Sequence, residues 1–489
     1  MKSISNRFNY LFRSTKGLAL VAFAVVSIVV AIWGTLSGPL ADFGVKDITV
    51  RVLGMDLVPA EREGRLITLY HSIAMAVVAV QVYFITHVMP MKEREHININ
   101  ATVTVGYLLS LIFGLLYGYF GHNRIFHGLF LVGLSLMFYG GIQLSVALWP
   151  WRKEHYIADP KSEYSHTKRG VNLERVAFFS MSVATLGSSI FGAVAGASYG
   201  AGFVTFLAED TLRDPHKSSL DLAVIGHLHI MVALVGVAAA LIIGRWLDFK
   251  GILHKIAMPF MIFGTIVLSI GVWLVVPFEF IAHIIIYVGS SFVLFAGLFL
   301  FIFSWQKITK DRLAEQGITK ASFGQKVKAL LHDPLKFGAT WQMLYMNFTT
   351  TFVGIFMAAR LDKIIRRWPL RDERVTLSGH WHALSTIIAT IMLFYFADMM
   401  GLKGKARKWF GWLTLIFSDI AFGASTVFAL KRLFVSESAQ QPMVDVLDLL
   451  IEGGLGIVLV TLAAFMIWRL VDLLQKDGGW SKDTSEAEL

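Results

Sequence analysis

Two strings, Gly226-His227-Leu228-His229 and Gly379-His380-Trp381-His382, each open a long apolar segment. Imidazole is the commonest metal ligand among side chains and the one that changes charge near neutral pH. A polar ring at the mouth of a membrane-length helix is costly unless it has a partner. Residues two apart on a helix point about 200° away from each other, so the two rings of each string serve opposite sides of one helix. That spacing suits a helix wedged between two cofactors, with one ligand for each.

The elements that position these rings are membrane spans. The 489-residue chain is 55% hydrophobic and only 16% charged, and its charges bunch between apolar runs. Backbone satisfaction in lipid leaves helices or closed barrels, and runs of about 20 apolar residues select helices. The pattern predicts twelve spans, at 17–37, 66–89, 98–120, 126–149, 176–206, 220–244, 255–276, 280–304, 338–358, 376–399, 409–430 and 449–472. The first follows a basic leader (Lys2, Arg7, Arg13, Lys16) with no small-residue cleavage site and reads as a retained span. The chain has no cysteine, which excludes c-type haem attachment, iron–sulfur clusters and thiolate metal sites within it. The net charge of +10 is not a nucleic-acid signature, because Lys and Arg collect in the cytoplasmic loops of membrane proteins.

Basic stretches at the N-terminus, 150–175, 245–255, 305–337 and 403–408 fall on one side of a twelve-span chain. This places both termini in the cytoplasm of a multi-pass inner-membrane protein. The acidic or mixed loops 38–65 and 207–221 face outward. The segment 360–374, with Arg360, Lys363, Arg366, Arg367, Arg371 and Arg374, breaks the rule. Either the span count slips there, or those cations hold an anionic group at the outer surface. On this topology His71, His227, His229, His380 and His382 lie roughly 8–14 Å below the outer boundary, on the even-numbered spans. His127 and His283 start the fourth and eighth spans near that level. His155, His166, His254 and His332 fall in loops or at span ends.

Three segments align: Tyr70-His71-Ser72, Gly226-His227-Leu228-His229 and Gly379-His380-Trp381-His382. Each continues through a helix, a basic turn, a helix and an outer turn. Phe126-His127 through Gly133 and Ala282-His283 through Gly289 then follow in the first two, and Ile451-Glu452-Gly453-Gly454 in the third. The repeat predicts one transmembrane domain, 1–474, built as three four-helix arcs (17–149, 176–304, 338–472) around a centre, with 475–489 a disordered cytoplasmic tail.

For such a layer haem is the favoured ligand. Neutral imidazole binds iron from a buried helix, and a flat apolar macrocycle suits a pore lined by Gly, Ala and Phe. Arg366 and Arg367 would then suit its propionates, since Arg binds carboxylates bidentately. Zinc is the next candidate, although it usually wants a carboxylate or a third convergent His. A proton or ion pathway is the third, with Asp398, Asp419, Glu452, Tyr345 and Tyr395 as further members. Trp381 packs against helices or touches a haem edge. The 305–337 loop lies on the cytoplasmic lipid surface.

The number of spans, the three arcs, a His in the second and sixth spans and His-x-His in the tenth resemble the catalytic subunit of haem–copper oxidases and nitric oxide reductases. The resemblance covers nearly the whole chain. It implies that His71 and His382 are the axial ligands of a low-spin haem, and that His380 is the proximal ligand of a second haem. It makes the sixth-span His a ligand of a second metal, copper or non-haem iron. His229 is preferred because it faces the pore shared with His380; His227 is left facing a third pore where the second span offers no His. The chain departs from the pattern in lacking a His-His pair after the seventh span, where Glu279 and His283 stand instead. The sixth-span Tyr of the oxidases and Glu of the reductases are also absent. His229, His283 and Glu279 are the remaining candidates for an unusual iron site. The resemblance thus implies a respiratory oxidoreductase subunit passing electrons through two b- or a-type haems to oxygen or nitric oxide. A quinol or cytochrome c-type donor and further redox subunits would accompany it. Without the second metal, His229 and His380 would both bind one haem, giving a bis-histidine dihaem cytochrome b that only transfers electrons. A non-redox transporter is a more distant reading.

Overall fold

The computed structural model describes residues 2–37, 41, 43–58, 62–199, 218–361, 363–475 and 478–481. Parts of the predicted fifth span and of the loops 38–65 and 207–221 lie outside the described residues. What is described is helical, with no strand and one isolated bridge between His166 and Asn172. Eleven of these helices are long and apolar enough to cross a membrane, and the chain is a polytopic helical membrane protein.

The eleven match all the predicted spans except the ninth. That segment is helical from Pro334–Leu344, passes through a π-helical turn at Tyr345–Thr350 and continues as Thr351–Arg360. The predicted ninth span is therefore a helix interrupted in its middle and is not among the eleven. Asp333 caps its start by accepting from the Leu335 N–H at 3.2 Å, and Pro334 occupies the first turn, where a missing N–H costs nothing. The twelfth span, Glu437–Leu474, begins well before the apolar run.

The second span (Arg62–Val88), the sixth (Ser219–Trp246) and the tenth (Leu370–Met399) carry the repeated strings, and the sixth touches both of the others. Their C-terminal halves form the core. Ala79–Ile85, Ala238–Ile243 and Phe394–Ala397 are buried throughout. Polar bonds fasten these ends. Gln81 Nε2 donates to Val235 O at 2.8 Å, Arg245 donates to Val88 O and Glu174, and Trp246 Nε1 donates to Asp398 Oδ2 at 2.7 Å. Gly401, in the left-handed region at φ 74°, closes the tenth helix by donating to Asp398 O.

The aligned glycines have one shared duty. A Cβ on Gly133 would strike the Ser110 backbone, and one on Gly289 would strike the Leu268 backbone. One on Gly454 would strike Phe417 O. The third and fourth spans and the seventh and eighth thus cross at the same register of the repeat, backbone against backbone, as small residues permit in membranes, whereas the eleventh and twelfth cross at Gly454, a different position of the repeat.

Of the stretch 475–489, expected to be disordered, the structure describes Gln475 and 478–481. There Trp480 is buried, with its Nε1 donating to Gln475 O at 3.0 Å and Arg7 over its ring. An indole with an apolar recess and a carbonyl within reach docks even on a charged tail.

Candidate functional site

Three of the layer histidines are tied back to the main chain through Nδ1. His71 Nδ1 lies 2.9 Å from Ile67 O, His229 Nδ1 2.8 Å from Ile225 O, and His227 Nδ1 2.8 Å from Ser188 O on the fifth span. A carbonyl only accepts, so each Nδ1 carries a proton, and a ring in its neutral form presents Nε2 as a lone pair. Metal-binding histidines are held in this way, with the second nitrogen fixing tautomer and ring direction.

The sixth-span pair divides as its two-residue spacing requires. His227 turns toward the second span: its ring centroid is 6.3 Å from that of His71, with the planes 8° apart. His229 turns the other way and is the electrostatic neighbour of His380. His227 therefore meets a histidine of the second span, where the sequence suggested it would face none. Room for its ring comes from Gly192 on the fifth span, where a Cβ would strike the imidazole.

On the tenth span, His382 meets the hydroxyl of Tyr70 through Nε2, and Trp381 packs edge-on against the same Tyr70 at 4.9 Å. His380 packs over Gly354 of the ninth span, again where a Cβ would collide. Its Nδ1 is buried without a hydrogen-bond partner, as is Trp381 Nε1. A small pocket beside His380 is lined by Thr350, Val353, Ala383, Ser425 and Thr426.

The other candidates are dispersed. Glu279 and His283 are exposed at the start of the eighth span. Among the described residues no three His, Asp or Glu side chains gather as a metal-binding group, so Glu279 and His283 do not join His229 in a three-ligand site. His127 stacks on Tyr117 at 4.8 Å. Arg366 and Arg367 lie on a 3-10 turn before the tenth span, Arg366 half-buried and Arg367 exposed. The side chains of Arg371 and Arg374 lie outside the described part. Asp398 is held by Trp246 and Arg407, and Asp419 by Trp341 and Gln342; Glu452 is exposed.

His229 and His382 are exposed although each faces an interior neighbour, and His71 and His227 are half-buried. One to two turns deeper the same helices are fully buried. The three central helices thus close on each other in their C-terminal halves and stand apart at the level of the rings. Ser188, Gly192, Tyr70 and Gly354, which shape this level, carry no motif of their own. Only the small-residue spacing of Gly187, Ser188 and Gly192 hinted that the fifth span is approached closely.

Fold and site define a class: a polytopic helical membrane protein with a layer of histidines on three adjoining spans, those of the second and sixth tethered through Nδ1. Set against protein-family models, characterised proteins and solved structures, the chain finds no match.

Proposed function

We propose that the chain is a haem-carrying subunit of a respiratory oxidoreductase, similar in plan to the catalytic subunit of haem–copper oxidases and nitric oxide reductases. The observation that carries this reading is the relation of His71 and His227. Two imidazoles that bind one metal from opposite sides at about 2 Å each place their ring centres about 6 Å apart. The separation here is 6.3 Å, and both rings are tied back through Nδ1. The donor set is chemically suited to haem iron, since neutral imidazoles in an apolar, cysteine-free site are strong nitrogen ligands. Bound haem would supply one-electron transfer. The helices would supply ligands, orientation and an apolar surround, with Arg366 and Arg367 as partners for propionates.

The repeat of the first two arcs is supported by the shared crossing at Gly133 and Gly289. The resemblance also proposes an inner-membrane location, cytoplasmic termini and a quinol or cytochrome c-type donor acting with further redox subunits.

A second reading is favoured by the dispersal of Glu279 and His283, which do not gather with His229 as a second-metal site; it would pair His229 with His380. Here the second haem has two histidine ligands, and the protein is an electron-transferring cytochrome b. The optical spectrum of the purified protein, with and without carbon monoxide, separates the two. A haem spectrum that shifts with carbon monoxide supports a reductase of oxygen or nitric oxide. A low-spin spectrum unchanged by the gas supports electron transfer alone. A colourless protein that takes up no haem removes both.

A further inference from the structure

The eleventh span, Gly404–Leu430, turns a polar stripe toward the ninth and tenth. At its inner end Arg407 bonds Asp333 at 2.8 Å and also Asp398. Two turns on, Thr414 is wholly buried and its hydroxyl has no hydrogen-bond partner. Midway along the helix, Asp419 accepts from Trp341 Nε1 at 2.7 Å and Gln342 Nε2 at 2.6 Å. Gln342 Nε2 also donates to Ser418 at 3.1 Å, yet its Oε1 is buried and unpartnered. Farther out, Tyr345 and Thr426 share a 2.8 Å hydrogen bond; because Thr426 gives its own proton to Phe422 O, Tyr345 is the donor. Thr426 then lines the pocket beside His380, where Thr350 Oγ1 and His380 Nδ1 are both buried without partners.

Hydroxyls in membrane helices ordinarily satisfy themselves on a carbonyl one turn back. Ser418, Ser425 and Thr426 do so, bonding Leu415 O, Ala421 O and Phe422 O. Thr414 and Thr350 do not. An Asp halfway along a span is expensive to keep ionised. Four buried polar atoms that lack partners (Thr414 Oγ1, Gln342 Oε1, Thr350 Oγ1 and His380 Nδ1) therefore line up with a mid-membrane carboxyl on a single helix interface.

We propose that this interface is a proton path from the inner end of the bundle to the pocket behind His380, with Asp419 as the group that takes up and releases the proton. A proton arriving by way of Thr414 and Ser418 forms an O–H bond on Asp419, converting carboxylate to carboxylic acid. Trp341 donates to the carboxyl in both states. The Gln342 amide donates through Nε2 to the carboxylate and, turned over, accepts the acid proton on Oε1, which accounts for an acceptor that is idle beside the ionised group. Release breaks the O–H bond and passes the proton outward past Tyr345 and Thr426. Each relaying hydroxyl gains one proton and loses one, so no charge is left behind. Tyr345 is the titratable group set beside Asp419 on the ninth span, and its hydroxyl donates to Thr426. The route stands on these side chains and needs no bound haem.

Infrared difference spectroscopy on the full-length protein in lipid vesicles, titrated in pH and exchanged into heavy water, tests it. A carboxylic-acid C=O band should appear on acidification, shift in heavy water and be missing from Asp419→Asn. Asp419→Glu should restore it at a displaced frequency. Thr414→Val should slow its deuterium exchange about tenfold, whereas Ser135→Ala, on the exposed face of the fourth span, leaves the rate unchanged. The proposal is overturned if the band survives in Asp419→Asn, if no acid band forms at any pH the protein tolerates, or if exchange is indifferent to Thr414→Val. None of these outcomes depends on haem.

Discussion

His227 faces His71 across the second and sixth spans, with ring centroids 6.3 Å apart and planes 8° apart. Two residues on, His229 faces the tenth span instead. The sixth helix is thus the element that divides its histidines between two neighbours, and its stretch Gly236–Gly244 is wholly buried. A rigid central helix is a better platform for two ligands than a loop, because the angular error at each ring is set by packing.

If His71 and His227 ligate one iron, His71→Ala and His227→Ala should each remove the same low-spin haem from the purified protein, while His382→Ala leaves it in place. Haem content and the reduced-minus-oxidised spectrum read this directly. Retention of that haem in His227→Ala together with its loss in His382→Ala would instead place the second ligand on the tenth span, as the family resemblance implies.

The shared crossings predict a second contrast. Gly289→Val must push its side chain into the Leu268 backbone, where nothing can yield without separating the seventh and eighth spans. Overpacking of this kind costs about 1–3 kcal/mol. Gly453→Val, whose Cβ would meet nothing within 4 Å, should be neutral. Thermal unfolding in detergent, followed by helix content, should rank Gly289→Val well below wild type and Gly453→Val beside it.

Much of this was legible in the sequence, and the rest was hidden for physical reasons. Apolar runs located the spans because lipid leaves few alternatives to a helix. The ninth is not among the eleven long apolar helices: the π turn at Tyr345–Thr350 interrupts it by adding a residue to one turn without altering composition. The alignment of Gly133 with Gly289 was visible, but sequence could not say that backbone contact was its purpose. The two-residue spacing announced that His227 and His229 serve opposite sides. Which neighbour each side meets depends on how the helix is rotated about its axis, and Gly192, Ser188 and the buried Ala238–Ile243 face settle that. The orphaned polar atoms of the ninth and eleventh spans were invisible, because Ser and Thr in a span usually satisfy themselves locally.

Asp372, in the first turn of the tenth helix and ahead of its membrane-spanning part, anchors that helix to the end of the eleventh. Burial alone would raise its carboxyl pKa, but Arg432 at 2.7 Å and Lys431 at 3.1 Å hold it below the ordinary range. A carboxyl depressed in the folded state stabilises it above the unfolded pKa of about 4 and loses that contribution as pH falls from there. Stability should therefore drop on acidification below about pH 4 more steeply in wild type than in Asp372→Asn, which starts about 2 kcal/mol lower at neutral pH from the lost charged bonds. Unfolding midpoints measured across pH for both proteins check this; parallel curves would show that the pair carries no stability.

Arg407 joins three helices at the end of the bundle where the tenth helix ends and the eleventh begins. It bonds both oxygens of Asp333 at 2.8 Å, and it also bonds Asp398, which accepts from Trp246 of the sixth span as well. These side chains are largely shielded, with Arg407 18% and Asp333 13% exposed. Arg407→Leu strands two carboxylates in that setting, and removing one partner of a buried pair costs about 3–5 kcal/mol. Asp398→Asn keeps an oxygen for the Trp246 N–H and leaves Arg407 its two bonds to Asp333, so its cost should be near that of one charged hydrogen bond, about 2 kcal/mol. The predicted order is wild type, then Asp398→Asn, then Arg407→Leu, read from unfolding midpoints in detergent. Restoring balance with Arg407→Leu/Asp333→Leu/Asp398→Asn should recover part of the loss, because it is the unpaired charges, and not the missing guanidinium, that destabilise the single variant. A triple variant as unstable as Arg407→Leu would mean that the guanidinium acts by packing the ninth, tenth and eleventh helices together rather than by neutralising their carboxylates.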